Sequence, residues 1–148
     1  MSLFDAIDTA ATGLSAERLR MDVTAENLAN AQTTRGADGK AYRRKVVVLE
    51  ELAPSTFGST LDGVMKGANT KGFKGVKVAQ IAQDATPNRL VYDPGHPDAD
   101  ARGYVSMPNV QPVTEMVDLI TASRGYEANV TVMQTSKQMF SKTLEILR

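Results

Sequence analysis

The residue types best suited to chemistry are gathered in one stretch, Asp93-Pro-Gly-His-Pro-Asp-Ala-Asp100, which holds the only histidine of the chain and three aspartates. Asp98 and Asp100 alternate in a way that suits a hard cation, but the loop spacing and closing glutamate of a helix–loop–helix calcium site are missing. Asp93 and His96 could share a proton, yet no nucleophile with a third orienting group accompanies them. Two prolines and a glycine within Pro94–Pro97 point to a tight turn instead. Asp93, Pro94, Gly95, His96 and Pro97 are therefore expected to be a structural turn. The chain has no cysteine, which removes disulfides, thiol nucleophiles, zinc ribbons and iron–sulfur clusters. A single histidine removes any multi-histidine metal site. No phosphate-cradling or dinucleotide motif occurs. The expectation is a protein that is not an enzyme, with no metal and no cofactor.

The elements around that turn follow from composition. The chain has 148 residues, with 17 Lys+Arg against 17 Asp+Glu. A duplex-DNA or RNA binder normally has a basic excess, so no nucleic-acid partner is expected. Aromatic residues are 5% of the chain, without tryptophan, and so a large core is not expected. No run of about 18 apolar residues exists, so no membrane insertion is expected. The N-terminus lacks the basic and apolar regions of a secretory signal, which by itself points to a cytoplasmic protein.

Glycine and proline divide the chain. Of 17 such residues, 15 lie between Ala31 and Pro112, leaving only Gly13 before and Gly125 after. Both residues are unfavourable inside helices, so the pattern predicts long helices over 1–31 and 113–148 around a β- and loop-rich domain over 32–112. The fold class expected is α+β. Ser2 is placed to cap the first helix, and Asn109 or Thr114 to cap the second. Alternating steps of three and four give Phe4, Ile7, Ala11, Leu14, Arg18, Met21, Ala25 and Leu28 in the first helix. The same steps give Met116, Leu119, Ser123, Tyr126, Val130, Met133, Lys137, Phe140, Leu144 and Leu147 in the last. These seams predict that the terminal helices pair as a coiled-coil-like hairpin. Further apolar residues off both seams, including Val117, Ile120 and Val132, exceed what a hairpin can bury and call for partners. Strands are expected over Tyr42–Leu52, Gly75–Gln83 (with Val76 and Val78 on one side, and Ile81 either with them or across a bulge) and Arg89–Tyr92. The segment Ala53–Gly72 has no period and is expected to be a mobile or partner-dependent loop. Arg43-Arg44-Lys45 is read as a solvated strand edge.

Residues 13–34, GLSAERLRMDVTAENLANAQTT, with Asn27-Leu-Ala-Asn30-Ala31 at their centre, resemble the N-terminal signature of bacterial flagellar rod and hook proteins. Residues 109–130, with Glu115-Met116-Val117 and Ser123-Arg124-Gly-Tyr126-Glu127-Ala128-Asn129, resemble the matching C-terminal signature. Leu90–Asp100, Gly103-Tyr-Val and Pro108-Asn-Val are most similar to the proximal-rod members of the flagellar basal-body rod protein family. The alternatives are another axial protein of the FlgB, FlgF or FlgG kind, or a soluble helical-hairpin adaptor. Gly125 stands where that family pattern commonly has a larger residue, which is expected to loosen the helix locally.

The resemblance implies a structural subunit of the proximal rod, a wall of the export channel and part of the drive shaft. It would leave the cytoplasm through the flagellar type III export apparatus without a cleaved signal. It would then assemble, outside the inner membrane, with itself, with FlgB, FlgF and FlgG, and near the adaptor FliE and the membrane ring. In a two-membrane cell that place is periplasmic. The terminal helices would form the inner tube. The candidate assembly contacts are the seam residues Phe4, Ile7, Ala11, Leu14, Met21, Ala25 and Leu28, with the signature residues Asn27 and Asn30. On the last helix they are Met116, Leu119, Tyr126, Val130, Met133, Phe140, Leu144 and Leu147.

Overall fold

The computed structural model of the chain describes residues 3–36, 38–52 and 75–146. Ser2, the 53–72 loop and Leu147 lie outside the described residues, as does the side chain of Phe4. The fold is α+β. Helix α1 spans Leu3–Ala29, followed by strands β1 (Lys45–Glu51), β2 (Val76–Gln83), β3 (Arg89–Tyr92) and β4 (Tyr104–Met107), and then helix α2 (Pro112–Ile146).

Each boundary has a local cause. Asn30 stops α1: its amide nitrogen and its peptide N–H both donate to the Glu26 carbonyl, and its Oδ1 accepts from the Thr33 hydroxyl. At the other end Pro112 opens α2, where its missing N–H removes nothing and its fixed φ is already helical. The expected cap Asn109 has a different role. Its Oδ1 accepts from the Arg44 N–H at 2.8 Å and its Nδ2 donates to the Thr86 carbonyl at 3.1 Å. Thr114, the other candidate, sits inside the first turn of α2 and donates to the Gln111 side chain.

The strands form two separate antiparallel ribbons, β1–β2 and β3–β4. Val48 pairs with Gln80 and Leu49 with Val78, so Ala79 is the extra residue of a bulge. That bulge returns Ile81 to the face of Val76 and Val78. Strand β4 was not expected; four residues with a central serine show no readable period. It pairs with β3 from Arg89↔Met107 to Tyr92↔Tyr104. Among the described residues, α1 packs on β1 and β2, while no helix packs on the β3–β4 ribbon.

The two helices pack antiparallel against each other. An added Cβ on Gly13 would stand 2.9 Å from Asn129, and one on Gly125 would stand 3.2 Å from Glu17. Asn27 meets Glu115. Four residues forward on α1, from 13 to 17, is thus four residues back on α2, from 129 to 125, and this register holds to the far end. Gly125 is consequently a contact with Glu17, and its role is close approach of the two helices. The buried apolar side chains among the described residues are Ala10, Ala16, Val23, Val105, Pro108 and Ala122. The core is small, as the scarcity of aromatics predicted.

Candidate functional site

Helix packing is where sequence and structure part. On α2 the buried and half-buried line is Glu115, Leu119, Ala122, Tyr126, Asn129, Met133 and Ser136. Leu119, Tyr126 and Met133 belong to the expected seam. The other core position is held one residue earlier than expected, by Glu115, Ala122, Asn129 and Ser136 in place of Met116, Ser123, Val130 and Lys137. On α1 the tightest line is Ala10, Gly13, Ala16, Val23, Thr24 and Asn27. Leu14, Met21 and Leu28 follow that line by one residue, about 100° around the axis. They stay half-buried, as do Ile7 and Ala11, while Ala25 is exposed. On α1 the apolar period therefore identified a stripe beside the tightest line, and on α2 it identified one of the two core positions of the contact. Small and hydrogen-bonded residues occupy the seam because they let the backbones approach. Asn129, for example, donates its amide to the Gly125 carbonyl at 3.0 Å.

Large apolar side chains are left outside. Met116 is 50% exposed, Phe140 42% and Leu144 52%. Val130 is half-buried at the margin of the seam. Leu144 lies on the side of α2 that faces α1, but the antiparallel register carries it past the first described residues of α1. Of the expected assembly contacts, Met116, Val130, Leu144 and the Ile7–Leu28 stripe expose surface that a neighbour can cover. Asn30 is occupied in ending α1.

Asn27, expected on an assembly face, is placed instead at the centre of a polar clamp inside the chain. It is 1% exposed, and so is Glu115. All its hydrogen-bonding capacity is used. Asn27 Nδ2 donates to the Lys45 carbonyl at 2.8 Å and to Glu115 Oε2 at 3.0 Å. Its Oδ1 accepts from the Tyr42 hydroxyl and from the Lys45 N–H, both at 2.9 Å. Glu115 Oε1 accepts from Arg44 Nε at 2.5 Å, and Arg44 Nη2 donates to Asp118 at 3.0 Å. Asp84 lies 3.8 Å from Arg44 Nη1. One side chain from α1, three residues around the start of β1 (Tyr42, Arg44 and Lys45) and the first two turns of α2 are thus joined in one network.

The electrostatics match this arrangement. Burial would lower the Arg44 pKa, but the Glu115 hydrogen bond and the charges of Glu115, Asp118 and Asp84 outweigh it and raise the value. Burial, then the carboxylates of Glu26 and Glu115, push the Tyr42 hydroxyl up to about 12. The hydrogen bonds from Thr86 hold Asp84 below its usual value, helped by Arg44 and Arg43. A buried glutamate with its partner present is tolerated, and removing either partner of such a pair is costly. Arg44, read from sequence as a solvated edge residue, is the cation that makes a buried Glu115 possible. The clue in the sequence was a pair of acids, Glu115 and Asp118, in the first two turns of a helix start without a basic residue.

The 93–100 stretch forms the connection between β3 and β4. Asp93 Oδ1 accepts from the Gly95 N–H at 3.1 Å, and Asp100 Oδ1 from the N–H groups of Arg102 and Tyr104. His96 Nδ1 accepts from the Asp98 N–H, and Asp98 accepts from the Thr34 hydroxyl. Gly103, at φ +80°, closes the turn under the Tyr92 ring. The carboxylates hold the backbone. Among the described residues no group of three or more His, Cys, Asp or Glu is arranged to hold a metal ion, and no helix is long and apolar enough to cross a membrane.

Comparison with known proteins points the same way from both ends of the chain. A family model described as "Flagella basal body rod protein" matches residues 7–37, and one described as "Flagellar basal body rod FlgEFG protein C-terminal" matches residues 101–146. The flagellar basal-body rod protein FlgC of Bacillus subtilis is 47% identical over 99% of this chain and 99% of its own length. The protein of that name from Borreliella burgdorferi is 46% identical over 100% of this chain and 99% of its own. The one from Escherichia coli O157:H7 is 45% identical over 99% and 98%.

Proposed function

Because this chain belongs to the FlgC family of flagellar basal-body rod proteins and is a structural subunit of the rod, we infer that its two terminal helices are the parts through which it assembles with copies of itself and with other rod proteins. The observation that carries this reading is the inverted packing of the helices. Half of the seam between them is small or polar, and large apolar side chains such as Met116, Val117, Ile120 and Leu144 face outward, where a neighbour can cover them. The chain divides accordingly. Residues 1–31 and 113–148 form the inner-tube part, paired as a left-handed coiled coil once neighbours complete the packing, and residues 32–112 form an outer domain. Within the family's rod, the expected position is proximal, around the export channel. There the chain contacts FlgB, FlgF and FlgG and lies near FliE and the membrane ring. It reaches that place, outside the inner membrane, through the flagellar type III export apparatus without signal cleavage. A non-closing contact between identical subunits propagates a helical assembly, and ordering the helix ends is offset by burial of the outward stripes.

Leu144→Asp tests this reading. Leu144 is half exposed and lies beyond the described start of α1, so the substitution should change the stability of the free chain by no more than about 0.5 kcal/mol. In an assembled rod it would place an unpaired carboxylate in a helix contact, at a cost of several kcal/mol. The expected result is normal secretion, no rod incorporation and no motility, with near-normal rods for the control Gln138→Asp. Motile Leu144→Asp cells would remove the C-terminal helix from the assembly interface.

A further inference from the structure

The β3–β4 ribbon carries an apolar face that no helix covers among the described residues. Leu90 is 67% exposed, Tyr92 65% and Tyr104 42%. Leu90 and Tyr92 alternate onto one side of β3, and Tyr104 sits directly opposite Tyr92, with ring centroids 5.3 Å apart in an edge-to-face arrangement. The opposite side of the ribbon holds Val105, which is 1% exposed, so the ribbon already has an inner face and these three residues form its outer one. A second uncovered patch lies on the side of α2 turned away from α1. Val113 is 70% exposed, Val117 57% and Ile120 55%, at the spacing of one helical stripe.

We propose that, in the assembled rod, the Leu90–Tyr92–Tyr104 face of one copy docks on the Val113–Val117–Ile120 stripe of a second copy. The proposal rests on the rod-subunit reading above and adds a contact between the outer domain and a helix. Three observations support it. The dimensions match: four strand residues extend roughly 13 Å and the stripe roughly 10 Å. The charges match in one orientation. The stripe runs on to Arg124, which has no ion-pair partner among the described residues, and the ribbon face ends at the turn bearing the carboxylates of Asp93 and Asp100. Lying along β3 in the same direction, the stripe brings Arg124 to those acids. The area also fits. At roughly 100 Å² for each half-exposed side chain, each patch offers on the order of 300 Å², well below the ~800 Å² per partner of a standalone interface. Such a contact is too weak to hold a dimer in solution and suits an assembly in which several contacts act together. Ribbon against ribbon, or stripe against stripe, would close a pair and end growth, whereas ribbon against stripe leaves the complementary patch free for the next copy.

The absence of cysteine makes the test clean. Tyr92→Cys and Val117→Cys chains are co-expressed in cells lacking the unsubstituted chain, basal bodies are isolated and oxidised, and the proteins are separated without reductant. A covalent dimer in the mixture, absent when either variant is expressed alone, is the expected result. A dimer from either variant alone, a covalent product with a different rod protein, or incorporated chains that give no dimer would each overturn the proposal. If Tyr92→Cys fails to incorporate, Leu90→Cys replaces it on the same face. Adding Arg124→Glu to the Val117→Cys chain should lower the dimer yield about threefold or more; an unchanged yield overturns the docking in this orientation. The underlying reading is checked separately: absence of the unsubstituted chain from basal bodies would sink the rod assignment, and its presence without a crosslink sinks only the docking.

Discussion

Replacing Asn27 by alanine removes four hydrogen bonds at once. The groups left behind are the Lys45 N–H and carbonyl, the Tyr42 hydroxyl and Glu115 Oε2. A buried polar group that loses its partner costs about 1–3 kcal/mol. Tyr42 and Lys45 are half-buried, so water recovers part of the loss around them and the lower end of that range applies. The total comes to about 4 kcal/mol. For a chain of this length one kcal/mol moves the midpoint by about 2–4 °C, so Tm should fall by roughly 10 °C. Asn30→Ala is the control. It is the same residue type one turn on, but its side chain bonds only to Glu26 and Thr33 beside it, and it should cost about 1 kcal/mol or less. Thermal melts followed by far-ultraviolet circular dichroism compare the two. Asn27→Asp, which keeps the shape but turns an oxygen toward the Lys45 carbonyl and Glu115, should be at least as damaging at neutral pH and should recover partly as acid protonates it. If Asn27→Ala melts within about 2 °C of the unsubstituted chain, or Asn30→Ala is equally harmful, the clamp does not hold the fold.

A raised Tyr42 contributes its stability in full below the unfolded value of 10.0 and loses it as the pH climbs through about 12. The urea-midpoint difference between the chain and Tyr42→Phe should therefore narrow over that interval, and a constant difference would contradict the assignment. Gly125→Ala gains helix propensity of up to about 1 kcal/mol and asks only the carboxyl end of Glu17 to shift. It should raise the urea midpoint, whereas Gly125→Leu should lower it by prising the helices apart; two equal effects would mean that the close approach is not real. Calorimetric titration with calcium should give no stoichiometric heat, because Asp93, Asp98 and Asp100 already accept from the turn and from Thr34. A binding event lost in Asp100→Asn would reverse that reading.

How much could be read in advance differed by element. The two helices followed from where glycine and proline are absent, whereas the alternation in β2 left two placements open for Ile81, and pairing with β1 selects the bulge. Strand β4 was too short to show a period. The helix seam was displaced by one residue for a physical reason. A three–four apolar period marks a stripe that must leave water, and it does not say whether an internal partner or another subunit covers it. Gly13, Ala16, Ala122 and Asn129 make the internal contact through closeness and hydrogen bonding, neither of which an apolar period detects. The clamp was hidden because Asn27, Arg44 and Glu115 are far apart in the chain and each is ordinary alone. Only the register of α1 against α2 brings them together.

The small, polar seam has a thermodynamic consequence. The heat capacity released on unfolding and the sensitivity to denaturant both scale with the apolar surface exposed. A helix pair whose buried apolar side chains are chiefly Ala10, Ala16, Val23 and Ala122 exposes little. The stability of the free chain should consequently be low but nearly flat with temperature, with a shallow denaturant slope and little loss on cooling. Assembly through the outward stripes, as proposed, should show the opposite signature: a large negative heat-capacity change and subunit contacts that weaken in the cold. On that proposal the hydrophobic effect acts mainly between subunits, and the temperature dependence of the rod should belong to its joints and not to its parts.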